Sequence, residues 1–337
     1  MNQVARVGMD IAKQVFLVHG VDAQGNTVLR KKLRRADVLD FFAQTPKTVI
    51  GIESCGGSHY WARELGKLSH SVKLISPHLA TPYRRKGKND ANDAEAICEA
   101  ISRPGMNFVA VKSESQQSIL MVHRVRDQLV SDRTSLINQV RGHLMEFGVV
   151  LPVGRRQFQR TIVDVFADDS LPKMVFEMLH DMLARLARLD DQVTDLDVKI
   201  ACWVRQDEAA SRLMKLEGIG PLTASALVAT AGNGSSFKNG RQFAAWLGLV
   251  PSQYSSGGKS KLGGITKRGD RYLRKLLVHG ARTVLLMSSK GKGMHHVWIE
   301  SLRERRPENV VAVAMAAKQA RIAWAVMVGE RQPSTVN

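Results

Sequence analysis

Four carboxylates set the chemical question in this chain. Asp10 follows the apolar run VARVGM (4–9), Glu53 closes KTVIGIE (47–53), and Asp90 and Asp93 stand three apart at the head of a helical stretch. Side chains three apart at a helix start can face one way. Carboxylates from two strands of one sheet and from a helix packed on it can converge on one point. Gathered there they repel unless divalent cations lie between them, and hard oxygen ligands suit Mg²⁺ or Mn²⁺. A pair of such ions can clamp the attacking and leaving oxygens of a phosphodiester. Arg84, Arg85, Lys86 and Lys88 stand just upstream, placed to meet the phosphates. A plainer reading exists for each carboxylate: Asp90 as a helix N-cap, Asp93 and Glu95 as complements to the helix dipole, Asp10 and Glu53 as turn residues.

A second stretch, VPSQYSSGGKSKLGGITKRGDRYLRKLL (250–277), sets Ser255 and Ser256 before Gly257-Gly258 and a run of cations: Lys259, Lys261, Lys267, Arg268, Arg271 and Arg274. A serine hydroxyl in a flexible loop beside such cations can act as a nucleophile on a phosphodiester. The same residues also describe a solvated phosphate-binding loop whose serines only form hydrogen bonds. On the residue types alone the second reading is favoured.

The elements that must position these groups follow from the pattern. Residues 4–9 read as a strand, and QVFLVHGVDAQGNTVLRKKL (14–33) as two strands joined at Asp22–Asn26. A short helix at Ala36–Gln44, a buried strand ending at Glu53, a helix in SHYWARELGKL and a strand in SVKLISP complete a mixed α/β sheet. The helix after Asp90 gathers Ala94, Ile97, Cys98 and Ile101 on one face and stops at Pro104-Gly105. The four carboxylates in this order favour a ribonuclease-H-like, Holliday-resolvase-type site. A long helix spans Glu114 to about Phe147. A second carries Leu179, Met182, Leu186, Leu189, Val193, Leu196, Ile200 and Trp203 three and four apart. That spacing makes either a coiled-coil seam between chains or a helical hairpin within one. LEGIGPLTASALVA (216–229) is similar to a helix-hairpin-helix, whose turn amides can hold a phosphate. The remainder, 237–330, reads as helices around one glycine-rich basic loop.

Charge assigns partners. The chain has 337 residues, 49 Lys+Arg and 31 Asp+Glu, so +18, an excess that favours nucleic acid over a membrane. Residues 251–337 hold 16 basic and 5 acidic side chains, and residues 164–208 hold 5 and 11, so nucleic acid should meet the C-terminal quarter and avoid the middle. There is no N-terminal signal-type apolar region and no apolar run of spanning length, which sets the expectation of a cytoplasmic protein with no membrane partner. Cys55, Cys98 and Cys202 lie far apart, and are expected as reduced, mostly buried thiols.

Several segments together carry a resemblance over nearly the full chain: GMDIAK (8–13), IESCGGSHYWARELG (52–66), KLISPHLATPYRRKGKNDANDAEAICEA (73–100), RLMKLEGIGPLTASAL (212–227), RQFAAWLGLVPSQYSSGGKSKLGGITKRGDRYLRKLL (241–277) and AKQARIAWAV (317–326). The chain resembles the DEDD-type insertion-sequence transposases of the group numbered one-ten, its eleven-eleven branch in particular, with the Piv/MooV invertases as relatives. The resemblance implies a RuvC-like domain over 1–110 whose carboxylates, here Asp10, Glu53, Asp90 and Asp93, bind Mg²⁺. It implies long helices with a coiled coil over 111–208 for oligomerisation, and a C-terminal helical transposase domain over 209–337. Within that domain the Tyr-x-Ser-Gly motif falls on Tyr254, Ser256 and Gly257, making Ser256 the nucleophile. It further implies dimers or tetramers, donor and target DNA, and a structured guide RNA encoded by the element. Three rival classes remain in view, of which a non-catalytic nucleic-acid-binding scaffold explains the charge alone. A Holliday-junction nuclease without serine catalysis explains the carboxylates but not the serine stretch. An actin-like ATPase shares the strand-Asp-hairpin start but needs glycine-rich adenosine and phosphate loops that the later sequence lacks.

Overall fold

The computed structural model describes residues 4–84, 90–167 and 171–329, without the side chains of Asp90 and Ser260. Arg85, Lys86 and Lys88 therefore lie outside the described residues. The chain forms two compact units, residues 1–114 with 234–238, and residues 115–233 with 239–337.

The first unit contains β1 (Arg6–Ile11), β2 (Val15–Val21), β3 (Thr27–Arg34), α1 (Val38–Ala43), β4 (Val49–Glu53), α2 (Ser58–Lys67), β5 (Ser71–Ile75), α3 (Pro77–Ala80), α4 (Asp90–Ala100) and β6 (Phe108–Val109). Its sheet has the order β3-β2-β1-β4-β5-β6. The pairs β1/β2, β2/β3 and β5/β6 are antiparallel, and β1/β4 and β4/β5 are parallel. The two-residue β6 has no pattern long enough to read from sequence. The β2–β3 turn is held by Asp22, whose Oδ1 accepts from the amides of Gln24 (3.0 Å) and Asn26 (2.8 Å), an Asx-turn arrangement.

Alternation divides the sheet's faces. Val7, Met9, Phe16, Val18, Ile50 and Ile52 point to one side and bury against Val38 and Phe42 of α1 and Trp61 and Leu65 of α2. Gly8, Asp10, Gly51 and Glu53 point to the other, where α4 lies. The helix presses so close that a Cβ on Gly8 would stand 2.1 Å from the Ala94 carbonyl oxygen and 2.4 Å from the Cys98 nitrogen. A Cβ on Gly51 would meet Ile101 Cγ2 at 2.6 Å. Glycine at both positions is thus the condition for docking α4.

The second unit contains α5 (Glu114–Met145), α6 (Arg155–Val165), α7 (Lys173–Gln206), α8 (Glu208–Leu213), α9 (Pro221–Ala231), α10 (Gly240–Trp246), β7 (Pro251–Ser256), β8 (Lys259–Ile265), α11 (Arg271–Ser288), α12 (His296–Arg303) and α13 (Glu308–Val328). Leu179, Leu186 and Leu189 of α7 share one core with Leu136, Ile137, Val140 and Leu144 of α5 and Phe158 and Ile162 of α6. The apolar seam of α7 is therefore filled inside this chain, as a helical hairpin with α6 laid on it. Its acidic side chains are partly used there as well. Asp197 receives the Arg126 guanidinium through Nε (2.5 Å) and Nη2 (3.1 Å), and Asp190 pairs with Arg133 (3.1 Å) and Arg155 (2.7 Å).

One expectation needs correction. Helix α13 has the length and composition to cross a membrane, with a mean hydropathy of 1.4. It is the core helix of its unit, burying Val311, Met315, Ala316, Ala320 and Ala323. Its buried Gln319 donates to the Glu217 carbonyl at 2.7 Å. A helix apolar on nearly all sides is what a central position demands.

Candidate active site

The register puts Met9 beside Ile52 on parallel strands, so Asp10 and Glu53 follow one step on, side by side at the carboxyl ends of β1 and β4. Helix α4 runs against the strand direction. The Cys98 sulfur lies 3.8 Å from the Arg6 carbonyl and Ala94 lies over Gly8, so the N-terminal turn with Asp93 reaches the Asp10–Glu53 end. Electrostatics report the same gathering. Partial burial, then the charge of Asp93, raises the Glu53 carboxyl above its ordinary value, with Arg84 opposing. Burial, then the charges of Glu53 and Asp10, pushes the Cys55 thiol up.

Asp10, Glu53 and Asp93 are thus brought to one end of the sheet, and all are half-buried. Among the described residues no three His, Cys, Asp or Glu groups stand close enough to hold a metal ion. Asp90 begins the same helical turn, but its side chain is outside the description. The donor set itself, oxygen ligands only, fits a hard divalent cation. Arg84, expected to meet phosphate, instead pairs with Asp93 (Nη1 to Oδ1, 3.3 Å). Cys55 is exposed rather than buried, Cys98 is buried, and Cys202 is half-buried.

The serine stretch is a β-hairpin, not a flexible loop. Residues β7 and β8 pair Ser256 with Lys259, Ser255 with Ser260 and Tyr254 with Lys261. Gly257 (φ +55°) and Gly258 (φ +76°) form the two-residue turn. Positive φ at both central residues is the type I′ pattern, whose twist suits a hairpin. Directly paired residues share a face and consecutive ones alternate. Tyr254, Ser256, Lys259 and Lys261 therefore occupy one face. Ser255 is on the opposite face, where its hydroxyl accepts from Gln253 Nε2 at 2.8 Å. The two serines, equivalent in the sequence, are chemically distinct here.

The remaining cations divide. Lys259, Lys261, Lys267, Arg268 and Arg271 are exposed. Arg274 is not a free phosphate ligand: its Nη1 donates to the carbonyls of Leu247 (3.0 Å) and Arg268 (3.1 Å), tying the start of α11 to the hairpin's root. Asp270 caps that helix by accepting from the Leu273 amide at 2.9 Å. Beside it, His123 is buried between Tyr272 Oη (2.9 Å from Nδ1) and Ser225 Oγ (2.9 Å from Nε2). The Ser225 hydroxyl donates to the Pro221 carbonyl at 2.6 Å, so it accepts from His123 Nε2–H, and Tyr272 donates to Nδ1. Burial, reinforced by Arg126, lowers the His123 imidazole to about 4.

Sequence reasoning missed one cationic group in the first unit. Arg30, Lys31 and Lys32 of β3 line a cleft of about 370 Å³ with His19 and with Ala91, Asn92 and Glu95 of α4. The run LRKKLRR (29–35) was its signal, hidden by the strand reading.

Comparison with known proteins shows the family. Residues 7–148 match the transposase domain of the DEDD, IS110 type, and residues 210–296 match the family described as Transposase IS116/IS110/IS902. The chain is similar to a probable family 20 transposase of Pseudomonas aeruginosa, 49% identical over 96% of this chain and 97% of that one. It is also similar to the transposase for insertion sequence element IS1328 of Yersinia enterocolitica, 41% identical over 97% of each chain. The transposase for element IS1111A of Coxiella burnetii is 36% identical over 97% of this chain and 90% of its own. A mixed α/β domain with acidic strand ends, joined to a helical domain matched by transposases, defines an enzyme that cuts and transfers DNA strands. The chain belongs to the IS110/IS116/IS902 family of insertion-sequence transposases. Its DEDD-type domain indicates use of a divalent metal.

Proposed function

We propose that this transposase cuts and rejoins DNA through a covalent bond to Ser256, with Asp10, Glu53, Asp90 and Asp93 as the metal-binding carboxylates. The observation that carries the reading is the hairpin register: Ser256 stands at the tip on the face of Tyr254, Lys259 and Lys261, while Ser255 is turned away and bonded. The cations of that face would hold the scissile phosphate. The Ser256 Oγ–phosphorus bond forms as the bond from phosphorus to the 3′ oxygen breaks, and the serine proton ends on that oxygen. Religation reverses the step and conserves the bond energy, so no ATP is consumed. Mg²⁺ or Mn²⁺ on the four carboxylates would supply positive charge to the pentavalent phosphorane and the leaving oxygen.

In this reading residues 1–110 are the metal-dependent RuvC-like domain, 111–208 the helical arm and 209–337 the serine-bearing domain with its helix-hairpin-helix-like turn. Sequence resemblance supports further features: a dimer or tetramer, choice of donor and target DNA by an element-encoded guide RNA, kinship with the Piv/MooV serine invertases, and action in the cytoplasm.

Denaturing electrophoresis of labelled DNA tests the nucleophile. The parent protein and Ser255→Ala should give a slow protein–DNA band, and Ser256→Ala should give none while still binding DNA. A band that persists in Ser256→Ala and vanishes in Ser255→Ala moves the assignment by one residue. Metal-dependent cleavage with no band from any variant replaces it with the resolvase-type nuclease.

A further inference from the structure

The C-terminal unit holds an open cleft of about 660 Å³ that the strand-transfer reading does not use. It lies between α10, the root of the hairpin, α12 and α13. Ile265, Val310 and Trp298 form apolar walls, Asn309 supplies an amide, and Arg241 and Arg321 stand on the rim. Trp298 and Val310 are 37% and 49% exposed. Among the described residues that line the cleft, none is Asp or Glu.

An apolar concavity of this size is within the range that buries a small ring system. Three features say which. The first is the indole, pinned by Lys318 Nζ at 4.4 Å from its ring centroid and presenting an aromatic wall. The second is charge: Arg241 and Arg321 line the cleft, and among its described lining residues no carboxylate offsets them. The third is position, since Pro251, Gly263, Gly264 and Ile265 line the cleft and also form the base of the strands that end at Ser256 and Lys259. An aromatic wall beside guanidinium groups is the arrangement that takes a stacked base with its phosphates on the cations. A base paired in a duplex has its faces covered by its neighbours and cannot enter.

We propose that this cleft seats one unstacked base of a single-stranded segment of substrate DNA, stacked against Trp298 with its flanking phosphates on Arg241 and Arg321. Asn309 then faces the base edge. Its Oδ1 already accepts from Arg282 Nη2 at 3.2 Å, which leaves its amide hydrogens for the base. The inference depends on the chain's being a DNA transposase, not on the role of Ser256, so the test uses binding without cleavage.

The probe is a single-stranded DNA oligonucleotide of mixed sequence bearing 2-aminopurine, with an oligonucleotide of abasic residues and an RNA of the same sequence as comparisons. With the full-length parent, 2-aminopurine fluorescence should be quenched on binding. Trp298→Ala should weaken binding of the base-bearing DNA roughly tenfold, the value of one stacked base. Ala314→Leu, which fills the cleft and removes no contact, should do the same. Both variants should bind the abasic strand as the parent does. Parental affinity in both variants, or an abasic strand bound as tightly as the normal one, overturns the base seat. A Trp298-dependent preference for the RNA overturns the assignment to DNA. Variants that bind DNA normally but form smaller particles in light scattering make the cleft a contact between copies instead.

Discussion

Replacing Gly8 with alanine tests how the carboxylates are assembled. The new methyl would stand 2.1 Å from the Ala94 carbonyl oxygen and 2.4 Å from the Cys98 nitrogen, both backbone atoms of α4. Nonbonded contacts of this kind sit near 3.5 Å, so α4 must withdraw by more than about 1 Å. The side chain cannot turn aside, because a methyl has no rotamer to change. Overpacking of this kind costs about 1–3 kcal/mol, measurable as a lower urea midpoint at unchanged slope. The functional cost should be larger. Asp93 rides on α4, and a shift of about 1 Å in a positioning group costs roughly a hundredfold in rate. Gly8→Ala should therefore fold and bind DNA, yet cleave it at a small fraction of the parental rate. Gly66→Ala is the control, since a Cβ there meets nothing within 4 Å on the exposed side of α2. Helix propensity predicts that it gains up to about 1 kcal/mol. Parental cleavage and an unchanged midpoint in Gly8→Ala would refute the reasoning that this glycine sets the helix and the helix sets the site.

Lys at both Leu186 and Leu189 places charge in the α5–α6–α7 core and should lower the thermal midpoint sharply, at more than about 2 kcal/mol per site; an unchanged midpoint with a smaller particle in light scattering would make the seam intermolecular. His123, held near 4 against an ordinary 6.5 by burial and Arg126, is neutral in the folded chain, whereas the unfolded chain takes up its proton below pH 6.5. Stability should then be full above pH 6.5 and fall by up to roughly 3 kcal/mol toward pH 4, and a urea midpoint no less pH-dependent in His123→Gln than in the parent would refute that origin. Lys259→Ala and Lys261→Ala should each reduce the salt slope of DNA binding by about one. Arg274→Ala should leave that slope alone and lower stability, because two carbonyls lose their donor; a reduced slope without destabilisation would return it to the phosphate-binding set.

Much of the first unit was legible in the chain because its signals are local. Period-two alternation in residues 6–11 and 49–53 marks the strands, and it sets Asp10 and Glu53 on the same side as the glycines. The Asp-x-x-Asp spacing at a helix head fixes where a second pair of carboxylates begins. Family motifs along the whole chain carried the expectation of a transposase. Other features depend on what lies across from a residue, and that is decided only when the chain packs. The seam of α7 reads the same whether its partner is another chain or α5, and burial against Leu136 and Val140 decides it. Arg274 and Lys261 are alike as basic letters, but one is spent on two carbonyls and the other is exposed on a hairpin face. Ser255 and Ser256 are neighbours with identical side chains, and only strand pairing sends one to Gln253 and the other to the face of the lysines. A periodic pattern states which side of an element is apolar; the identity of the group across from it is long-range information, and pairing and close packing supply it.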